Sequence, residues 1–368
     1  MRMRKLCSVV LGLFMILSAA VVFAGGSNEQ GSSAGSATKA SAPPAPAKKI
    51  TINVASTFPP GSPQDLALNN FKKLANERSG GRIDVLIHAS SAMGDEQQTF
   101  QMLDQGTVEY GAIGTNDIST YYPKYAISEV PYIFSSQTDF WKFWNGPGKK
   151  LSQMINKERG VMTAGIIYRG ARYLTSNRAV NTVADVKGLK MRLPPVKTWF
   201  TVWEALGGLP SNIAFGETYM ALKTGVVQAE ENPPETILNY KFYEAQKYLV
   251  QTEHIYSAAR IMASGKWWNT LSSDDQALLS KAMDESVAMG NGITKDGDAV
   301  FVKKLVDLGM TLVTVDKNAF KNAVQPTLDK IAQTEWDPAF YTSVKAAIAE
   351  PCGPTNCSPP ADYSDFNK

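Results

Sequence analysis

The chain has 368 residues, with 37 lysines and arginines against 34 aspartates and glutamates, a formal net charge of +3. This near balance argues against nucleic acid as a partner, because phosphate binding needs basic patches that the sequence does not contain. The length is sufficient for two domains of ordinary size.

The N-terminus has the layout of a secretory signal peptide. Three basic residues within the first five positions precede an apolar run from Val9 to Phe23, which ends at small residues around Ala24. We therefore expect residues 1–24 to be a signal peptide, cleaved near Ala24, and the mature protein to be periplasmic. A retained membrane anchor is the alternative, although the run is slightly short of the about 20 apolar residues that span a bilayer. Cys7 precedes the apolar run and is too early to carry a lipid.

Residues 25–48 are rich in Gly, Ser, Ala and Pro and contain few apolar side chains. Such a segment cannot bury a core, so it predicts a flexible linker. The folded part of the chain is expected to begin near Lys49.

Strand and helix patterns alternate after the linker. Strand-like runs are expected over residues 50–55, 82–87 and 109–113, and helical spacing over 64–78 and 95–103. This rhythm predicts a parallel sheet covered by helices. The pattern resumes with an apolar strand over 161–168, short strands near 172–175, 190–193 and 226–230, and helices over 196–206 and 216–223.

A helical pattern covers most of residues 274–308, with Ser272 as its N-cap. Gly290 and Gly292 interrupt this pattern. They are either points where the helix bends or points of close packing, and the sequence does not distinguish the two.

Cys352 and Cys357 flank a short Pro-containing segment in the C-terminal tail. In an oxidising compartment this spacing predicts a disulfide. A metal pair is the alternative, but two thiolates without a nearby histidine rarely hold zinc.

Four motifs between residues 170 and 233 carry the most information. They read Gly-Ala-Arg172, Lys-Met-Arg192-Leu-Pro, Ala-Phe215-Gly-Glu and Glu-Glu-Asn232-Pro. Their order and spacing resemble the substrate-binding proteins of tripartite ATP-independent periplasmic (TRAP) transporters, the DctP-type family. The resemblance implies an α/β fold, a two-lobed periplasmic-binding-protein clamshell with discontinuous domains and a long helix that spans both lobes.

The resemblance also implies where the lobes divide. Lobe I is expected to comprise residues 49–169 and 257–296, and lobe II residues 170–256 and 297–368.

Arg192 is the first candidate for ligand binding, since the arginine at this place in the family clamps a carboxylate. A guanidinium suits that role because it is planar, permanently charged and offers paired donors to two oxygens. An internal ion pair is the alternative. Arg172 is expected to give a second contact to the acidic end of the ligand, with a structural ion pair as its alternative. Arg178 lies in a segment that reads as an exposed turn and is not a candidate.

Asn232 matches the asparagine of the family's Glu-Asn-Pro motif, where an amide can donate and accept at once. Its alternative role is to support the helix that starts at Pro233. Phe215 is expected to pack on the carbon skeleton of the ligand and Trp199 to form a side wall, although ordinary core packing would explain either ring. From lobe I, the resemblance places four further residues at the cleft, Thr57, Phe58, Gln97 and Asn116, and with Gln97 the whole turn Gly94-Asp95-Glu96-Gln97.

No cofactor and no metal are expected. Acids near Glu230 and Glu231 help to hold a metal in some relatives, but the surrounding sequence differs here. Sialic-acid-binding relatives have a glutamate and an arginine where this chain has Gly114 and Asp117, so the resemblance disfavours sialate. C4-dicarboxylates, monocarboxylates, sugar acids and cyclic zwitterions remain open.

The function that the resemblance implies is an extracytoplasmic receptor that captures a small organic acid and delivers it to integral membrane TRAP permease subunits. A clamshell receptor for chemosensing or for an ABC importer is the alternative. We do not expect an enzyme, because His88 and His254 are the only histidines and neither lies in a catalytic motif.

Overall fold

The computed structural model describes residues 48–295 and 297–368. The predicted signal peptide over residues 1–24 and the linker over 25–48 lie outside this part, except for Lys48. No helix among the described residues combines the length and the apolar character needed to cross a membrane.

The strands are named here in chain order. They are β1 (Ile50–Ser56), β2 (Ile83–His88), β3 (Tyr110–Ile113), β4 (Val161–Ala171), β5 (Tyr173–Ser176), β6 (Lys190–Leu193), β7 (Leu209–Asn212), β8 (Ala229–Asn232), β9 (Tyr248–Gln251), β10 (Tyr256–Ser264) and β11 (Thr311–Thr314).

The helices are named in the same way, and short 3₁₀ turns are left unlabelled. They are α1 (Pro63–Arg78), α2 (Glu96–Gln105), α3 (Asn116–Tyr121), α4 (Gln137–Asn145), α5 (Pro147–Arg159), α6 (Lys197–Ala205), α7 (Thr218–Lys223), α8 (Pro234–Asn239), α9 (Gly265–Trp268), α10 (Ser273–Thr294), α11 (Gly297–Asp307), α12 (Lys317–Thr334) and α13 (Pro338–Ala349).

The first sheet has the strand order β2-β1-β3-β10-β4. Strand β1 pairs in parallel with β2 and β3, as the β/α rhythm predicted. Strand β10 is antiparallel to both β3 and β4, so the sheet is mixed rather than purely parallel. Every residue of β10 is buried, because the strand lies inside the sheet and not at its edge.

The second sheet has the order β11-β9-β5-β8-β6-β7. Strand β6 runs parallel to β7 and β8, whereas β5 is antiparallel to β8 and β9. The register of β5 and β8 sets Tyr173 opposite Asn232 and Leu174 opposite Glu231. The polar residues of the Glu-Glu-Asn motif therefore lie next to the strand that follows Arg172.

Local sequence signals set the ends of several helices. The side chain of Ser62 accepts a hydrogen bond at the start of α1, where Pro63 follows. Asp95 forms a capping box with Gln98 at the start of α2, and Gly106 ends this helix in the left-handed conformation. Glu96, in the first turn of α2, accepts a hydrogen bond from the amide of Gly114, which directly follows β3.

The predicted helical region near residues 274–308 consists of α10 and α11, and the Ser272 side chain caps α10 as expected. Helix α10 continues through both glycines, so neither ends it. A Cβ atom on Gly290 would lie 2.9 Å from Ile167 Cδ1 and 3.2 Å from Ala67 Cβ, whereas Gly292 has no neighbour within 4 Å. Close packing on the first sheet is therefore the role of Gly290 alone.

The C-terminal segment, which the predicted division places in lobe II with the rest of residues 297–368, contacts elements beside the first sheet. Lys142 Nζ in α4 donates to Ile348 O at 2.9 Å, and Tyr363 Oη donates to Ile166 O of β4 at 3.0 Å. Both contacts join the tail to the side of the first sheet. The rings of Tyr363 and Phe366 are buried there. The tail contains a disulfide between Cys352 and Cys357, whose Cα atoms are 5.6 Å apart.

Candidate functional site

A cavity of about 290 Å³ is lined by residues from both sheets and the loops that follow their strands. Loop positions at strand ends are where open α/β sheets place ligand sites. All nine residues that the sequence nominated line this cavity: Thr57, Phe58, Gln97, Asn116, Arg172, Arg192, Trp199, Phe215 and Asn232.

Arg192 is buried on β6 between two buried apolar neighbours, Met191 and Leu193. Its Nε donates to the carbonyl of Ile213 at 2.9 Å, and its guanidinium lies 5.4 Å from the centre of the Phe215 ring. Among the described residues, no carboxylate lies within 4.0 Å of its nitrogens. The predicted alternative, an internal ion pair, is therefore not formed in the described part of the chain.

Burial lowers the pKa of Arg192 to about 10, while nearby carboxylates, Glu231 first among them, counteract part of that effect. The side chain therefore stays cationic at neutral pH. A buried cation without an anionic partner is costly, and an anion in the cavity would remove that cost.

Arg172 is engaged inside the protein. Its Nε lies 2.5 Å from Glu231 Oε2, and its Nη2 donates to Glu231 Oε1 at 2.9 Å and to Asn232 Oδ1 at 3.0 Å. Burial lowers the pKa of Arg172, but the surrounding carboxylates, Glu231 first among them and then Glu230 and Glu129, together hold this pKa above its ordinary value. The guanidinium also lies 4.8 Å from the centre of the Trp199 ring.

His254 extends this network, because its Nε2 is 2.9 Å from Glu231 Oε2 and its Nδ1 is 2.8 Å from Thr252 Oγ1. Burial holds the pKa of His254 below its ordinary value, although Glu231 opposes that shift. Arg172, Glu231 and His254 thus form a structural network beside the cavity, which Arg172 lines.

Asn232 is also engaged on both sides of its amide. Its Oδ1 accepts from Arg172, and its Nδ2 donates to Glu230 Oε2 at 2.6 Å. Among the described residues, Asn232 Oδ1 accepts no hydrogen bond from a backbone amide of α8, so the side chain does not support the start of that helix.

Aromatic rings supply the apolar wall. Phe215 packs edge-on against Tyr240 with ring centres 4.5 Å apart, and Tyr240 Oη donates to Thr57 O at 2.9 Å. The hydrogen bond between Tyr240 and Thr57 joins the residue that follows α8 to the residue that follows β1. Trp199 is buried, and its Nε1 donates to Glu129 O. Trp199 thus packs in the core and the half-buried Phe215 packs against it, and both rings line the cavity.

Two nominated residues come from helices beside the first sheet. Gln97 Nε2 donates to Thr120 Oγ1 at 2.9 Å, which links α2 to α3. Asn116 begins α3, directly after the end of β3.

Two charged residues of the cavity lie outside the segments that the sequence placed there: Arg169 and Glu129. Arg169 directly follows a run that reads as continuous core, and Glu129 lies in a loop with no periodic pattern. Glu96 also lines the cavity, and it belongs to the Gly-Asp-Glu-Gln turn that the resemblance places at the cleft.

The two acids have raised pKa values. Burial raises the pKa of Glu129 to about 7, against the lowering effects of Thr115 and Arg172. Burial also raises the pKa of Glu96, whose Oε1 accepts from the Gly114 amide at 2.8 Å. Gly114 leaves room for this carboxylate, since a Cβ there would lie 2.7 Å from Glu96 Oε1.

The carboxylates of Glu230 and Glu231 bond to different side chains. Glu230 accepts from the Thr175 hydroxyl, and Glu231 accepts from the Arg172 guanidinium. Over residues 48–295 and 297–368, no cluster of three or more His, Cys, Asp or Glu side chains is arranged to hold a metal ion.

Two sheets with an arginine-containing cavity between them define a receptor for a small solute. The chain belongs to the bacterial extracellular solute-binding protein family 7, the DctP family, whose model matches residues 54–335.

Two curated relatives illustrate the similarity. A solute-binding protein of Roseobacter denitrificans is 32% identical over 71% of this chain and 80% of its own length. The C4-dicarboxylate-binding periplasmic protein DctP of Rhodobacter capsulatus is 28% identical over 83% of this chain and 93% of its own length.

Solved structures agree in fold. A TRAP periplasmic solute-binding protein from Roseobacter denitrificans, with bound L-galactonate, has a TM-score of 0.75 and 28% identity over 82% of this chain and 99% of that one. One from Bordetella, with density assigned to pantoate, has a TM-score of 0.76 and 26% identity over 83% of this chain and 100% of that one.

Proposed function

We propose that this protein captures a small organic acid outside the cytoplasm and delivers it to the membrane subunits of a TRAP-type transporter. The observation that carries the proposal is the buried guanidinium of Arg192, which faces the cavity and has no carboxylate partner among the described residues. Relatives named for C4-dicarboxylates and solved with L-galactonate are receptors for such acids.

In this proposal Arg192 binds the carboxylate of the ligand with its two terminal nitrogens, while Ile213 O holds its Nε in place. A paired geometry of this kind gives both strength and orientation. Phe215 keeps the guanidinium flat against an apolar face and covers the carbon atoms next to the carboxylate.

We further propose that the two sheets act as the two lobes of a clamshell, with residues 338–368 belonging to lobe I. The chain passes between the sheets at β4–β5 and at β9–β10, where few backbone torsions need to change for a hinge motion. Closure on the ligand excludes water and strengthens its ion pair with Arg192.

Export and the partner are part of the same proposal. The basic and apolar N-terminus would direct the chain across the inner membrane, with cleavage near Ala24. The closed receptor would then dock on the integral permease subunits, and release of the ligand would use an ion gradient.

Two other functions are less well supported. For catalysis, the cavity offers no histidine among its lining residues, since His254 is bonded to Glu231 and His88 to Asn53 outside it. A sensory role or an ABC importer would use the same clamshell, but family membership favours the TRAP partner.

Thermal unfolding of the exported protein, stripped of ligand by unfolding and refolding, tests the proposal against a panel of organic acids. An acid present at a hundredfold excess over its Kd should stabilise the fold by about 2.7 kcal/mol. This stabilisation should be absent in Arg192→Ala. If no acid stabilises the wild-type protein, or if the variant responds equally, the carboxylate receptor is the wrong function.

A further inference from the structure

Arg260 lies in the interior of the first sheet and is fully buried. It belongs to β10, where it is opposite Ile113 of β3 on one side and Ile166 of β4 on the other. Ala258, two residues earlier on the same strand, lines the cavity. Because successive side chains of a strand point to opposite faces, Ala258 and Arg260 project from the same face. Arg260 therefore lies one step further along the strand from the wall of the cavity.

The Arg260 side chain bonds to a helix beside the cavity. Its Nη1 donates to Asp117 Oδ2 at 2.5 Å, and both side chains are almost fully excluded from solvent. Burial raises the pKa of the Asp117 carboxyl, and the charge and hydrogen bond of Arg260 oppose that shift most strongly. An oxygen of this carboxyl accepts from Nη1 whether or not the group carries a proton. The contact therefore fixes the position of Asp117 in either state.

Asp117 lies in the first turn of α3, directly after Asn116. This helix has six residues, and its N-cap, Thr115, makes no side-chain capping hydrogen bond. The end of the helix is held separately, because Tyr121 stacks on Phe100 with ring centres 4.8 Å apart. The bond from β10 to Asp117 thus holds the first turn of a helix whose N-cap supplies no such bond.

The start of α3 presents polar groups to the cavity, which Gly114, Thr115 and Asn116 line. The carbonyl of Asn116 accepts from Thr120 Oγ1 at 3.1 Å, whereas its half-buried side-chain amide is left for the cavity. An amide can donate and accept at once, so it can bond to the polar groups of a bound acid. An amide whose position varied would bind less tightly, because binding would then have to order it.

The bond between Arg260 and Asp117 is poorly arranged to stabilise the fold. Nε and Nη2 of Arg260 and Oδ1 of Asp117 are buried without hydrogen-bond partners among the described residues. Removing such groups from water costs free energy that a single contact does not fully recover, and apolar residues of similar shape often replace a buried pair without loss of stability. The fixed direction of a bond from a guanidinium to a carboxyl group explains the pair better than stability does.

We propose that Arg260 is a positioning residue of the binding site: its bond to Asp117 fixes the first turn of α3, and with it the Asn116 amide that meets the bound acid. Arg260 itself does not line the cavity. This inference rests on the proposed function, because it takes the cavity as the place where an organic acid binds. It adds a determinant of affinity that lies inside the first sheet.

A double variant separates positioning from stability. Arg260→Met with Asp117→Leu replaces both groups by apolar side chains of similar shape. Urea unfolding of the ligand-free protein should give a midpoint at or above that of the wild-type protein. Isothermal titration compares binding of succinate, L-galactonate and pantoate. Whichever of these acids binds the wild-type protein most tightly should bind the double variant at least about tenfold more weakly. Wild-type affinity in the folded double variant would overturn the proposal.

Asn116→Ala identifies the group through which the pair acts. Alone, this substitution should weaken binding of the same acid by about tenfold, because the amide is lost. Added to the double variant, it should weaken binding by less than about a further threefold, because the amide is already out of place. If the two losses multiply instead, as they do for independent sites, Arg260 does not act through Asn116 and the proposal is wrong.

Arg82→Met with Asp275→Leu is the matched control. Arg82 also bonds to an aspartate in the first turn of a helix, α10, and neither residue lines the cavity. This variant should bind the acid as the wild-type protein does. A tenfold loss here would show that exchange of any such pair weakens binding, which would contradict a specific role of Arg260.

Two single variants provide a second test if the double variant does not fold. Asp117→Asn and Asp117→Ala both remove the carboxyl group, but only asparagine keeps an oxygen that can accept from Arg260 Nη1. Asp117→Asn should bind the acid within about threefold of the wild-type protein, and Asp117→Ala about tenfold more weakly. Equal affinities of the two variants would overturn the proposal.

Failure of the positioning role and failure of the receptor function give different results. If one of the acids binds the wild-type protein and the folded variants equally well, the receptor function stands and the role of Arg260 is refuted. If none of the three acids and none of the wider panel binds the wild-type protein, the receptor function fails, and the positioning role fails with it.

Discussion

Arg172 and Glu231 form a buried ion pair in which Nε and Oε2 are 2.5 Å apart and both side chains are almost fully excluded from solvent. Arg192 lines the same cavity without such a partner among the described residues. The two arginines therefore differ in kind: Arg172 belongs to an internal network, and Arg192 has its terminal donors available. The expectation that both bind the acidic end of the ligand stays a prediction, and the geometry favours Arg192.

The first prediction concerns the stability of that network. Arg172→Ala should lower the free energy of unfolding of the ligand-free protein by about 3–5 kcal/mol, because it leaves the buried Glu231 carboxylate without its arginine and with only His254 beside it. Urea unfolding measures this change. Lys303→Ala is the control, since its pair with Asp307 is exposed and should contribute less than about 1 kcal/mol. An equally small effect for Arg172→Ala would contradict the structural role.

The second prediction concerns the carboxylate. Arg192→Ala should weaken binding of the ligand by about 3 kcal/mol, as expected when one partner of a buried charge pair is removed. The ligand-free protein should lose much less stability than in Arg172→Ala, because no described carboxylate is left without its partner. Isothermal titration and urea unfolding measure the two effects. Arg178→Ala serves as the control, because Arg178 is exposed and its guanidinium bonds to the backbone at Asp185 O and Lys187 O.

The third prediction separates the two glycines of α10. Gly290→Ala should destabilise the protein by about 1–3 kcal/mol, because the new methyl group would overlap Ile167 and crowd Ala67. Gly292→Ala should instead stabilise it by about 0.5–1 kcal/mol, since its position is open and alanine favours helix. Equal effects of the two substitutions on thermal unfolding would show that packing at Gly290 is not tight.

The fourth prediction concerns pH. Burial raises the pKa of Glu129 from an ordinary 4.5 to about 7 in the folded protein, with Thr115, Arg172 and Arg169 opposing the shift and Glu96 adding to it. Between these values the folded state holds a proton that the unfolded state has released. The stability of the ligand-free protein should therefore fall as pH rises from about 4.5 towards 7, by at most about 1.4 kcal/mol per pH unit from this group.

Urea unfolding at pH 5 and pH 8 measures this effect, with Glu129→Gln as the comparison. The wild-type protein should lose more stability between the two pH values than the variant does. Glu230, whose pKa burial also raises to about 7, remains in both proteins and cancels in the difference. Identical losses would show that Glu129 does not carry the raised pKa.

Much of the site was accessible from the sequence because its residues lie in short motifs at strand ends. Arg192 next to Leu-Pro and Phe215 next to Gly-Glu each have a local pattern, and the structure places both at the cavity. Arg169 and Glu129 have no such pattern. Arg169 is embedded in an apolar strand, and Glu129 lies in a loop whose path depends on the helices around it.

The fold shows the same division. Helix ends at Ser62, Asp95 and Ser272 follow from capping chemistry within a few residues. The return of the C-terminal tail to the first sheet depends on contacts such as Tyr363 with Ile166, which are 197 positions apart. No local propensity encodes a contact of that range.

By itself, the sequence determined many of the strands and helices and the cavity residues that lie in short motifs, Arg172 and Arg192 among them, because periodicity, caps and motifs act over short stretches of chain. Tertiary structure alone decided which arginine is already neutralised. Arg172 and Glu231 are 59 positions apart, and the antiparallel register of β5 and β8 brings them together. Whether a buried charge has a partner depends on which side chains the fold brings within a few ångströms of it. The distance between two such side chains depends on how the strands pair.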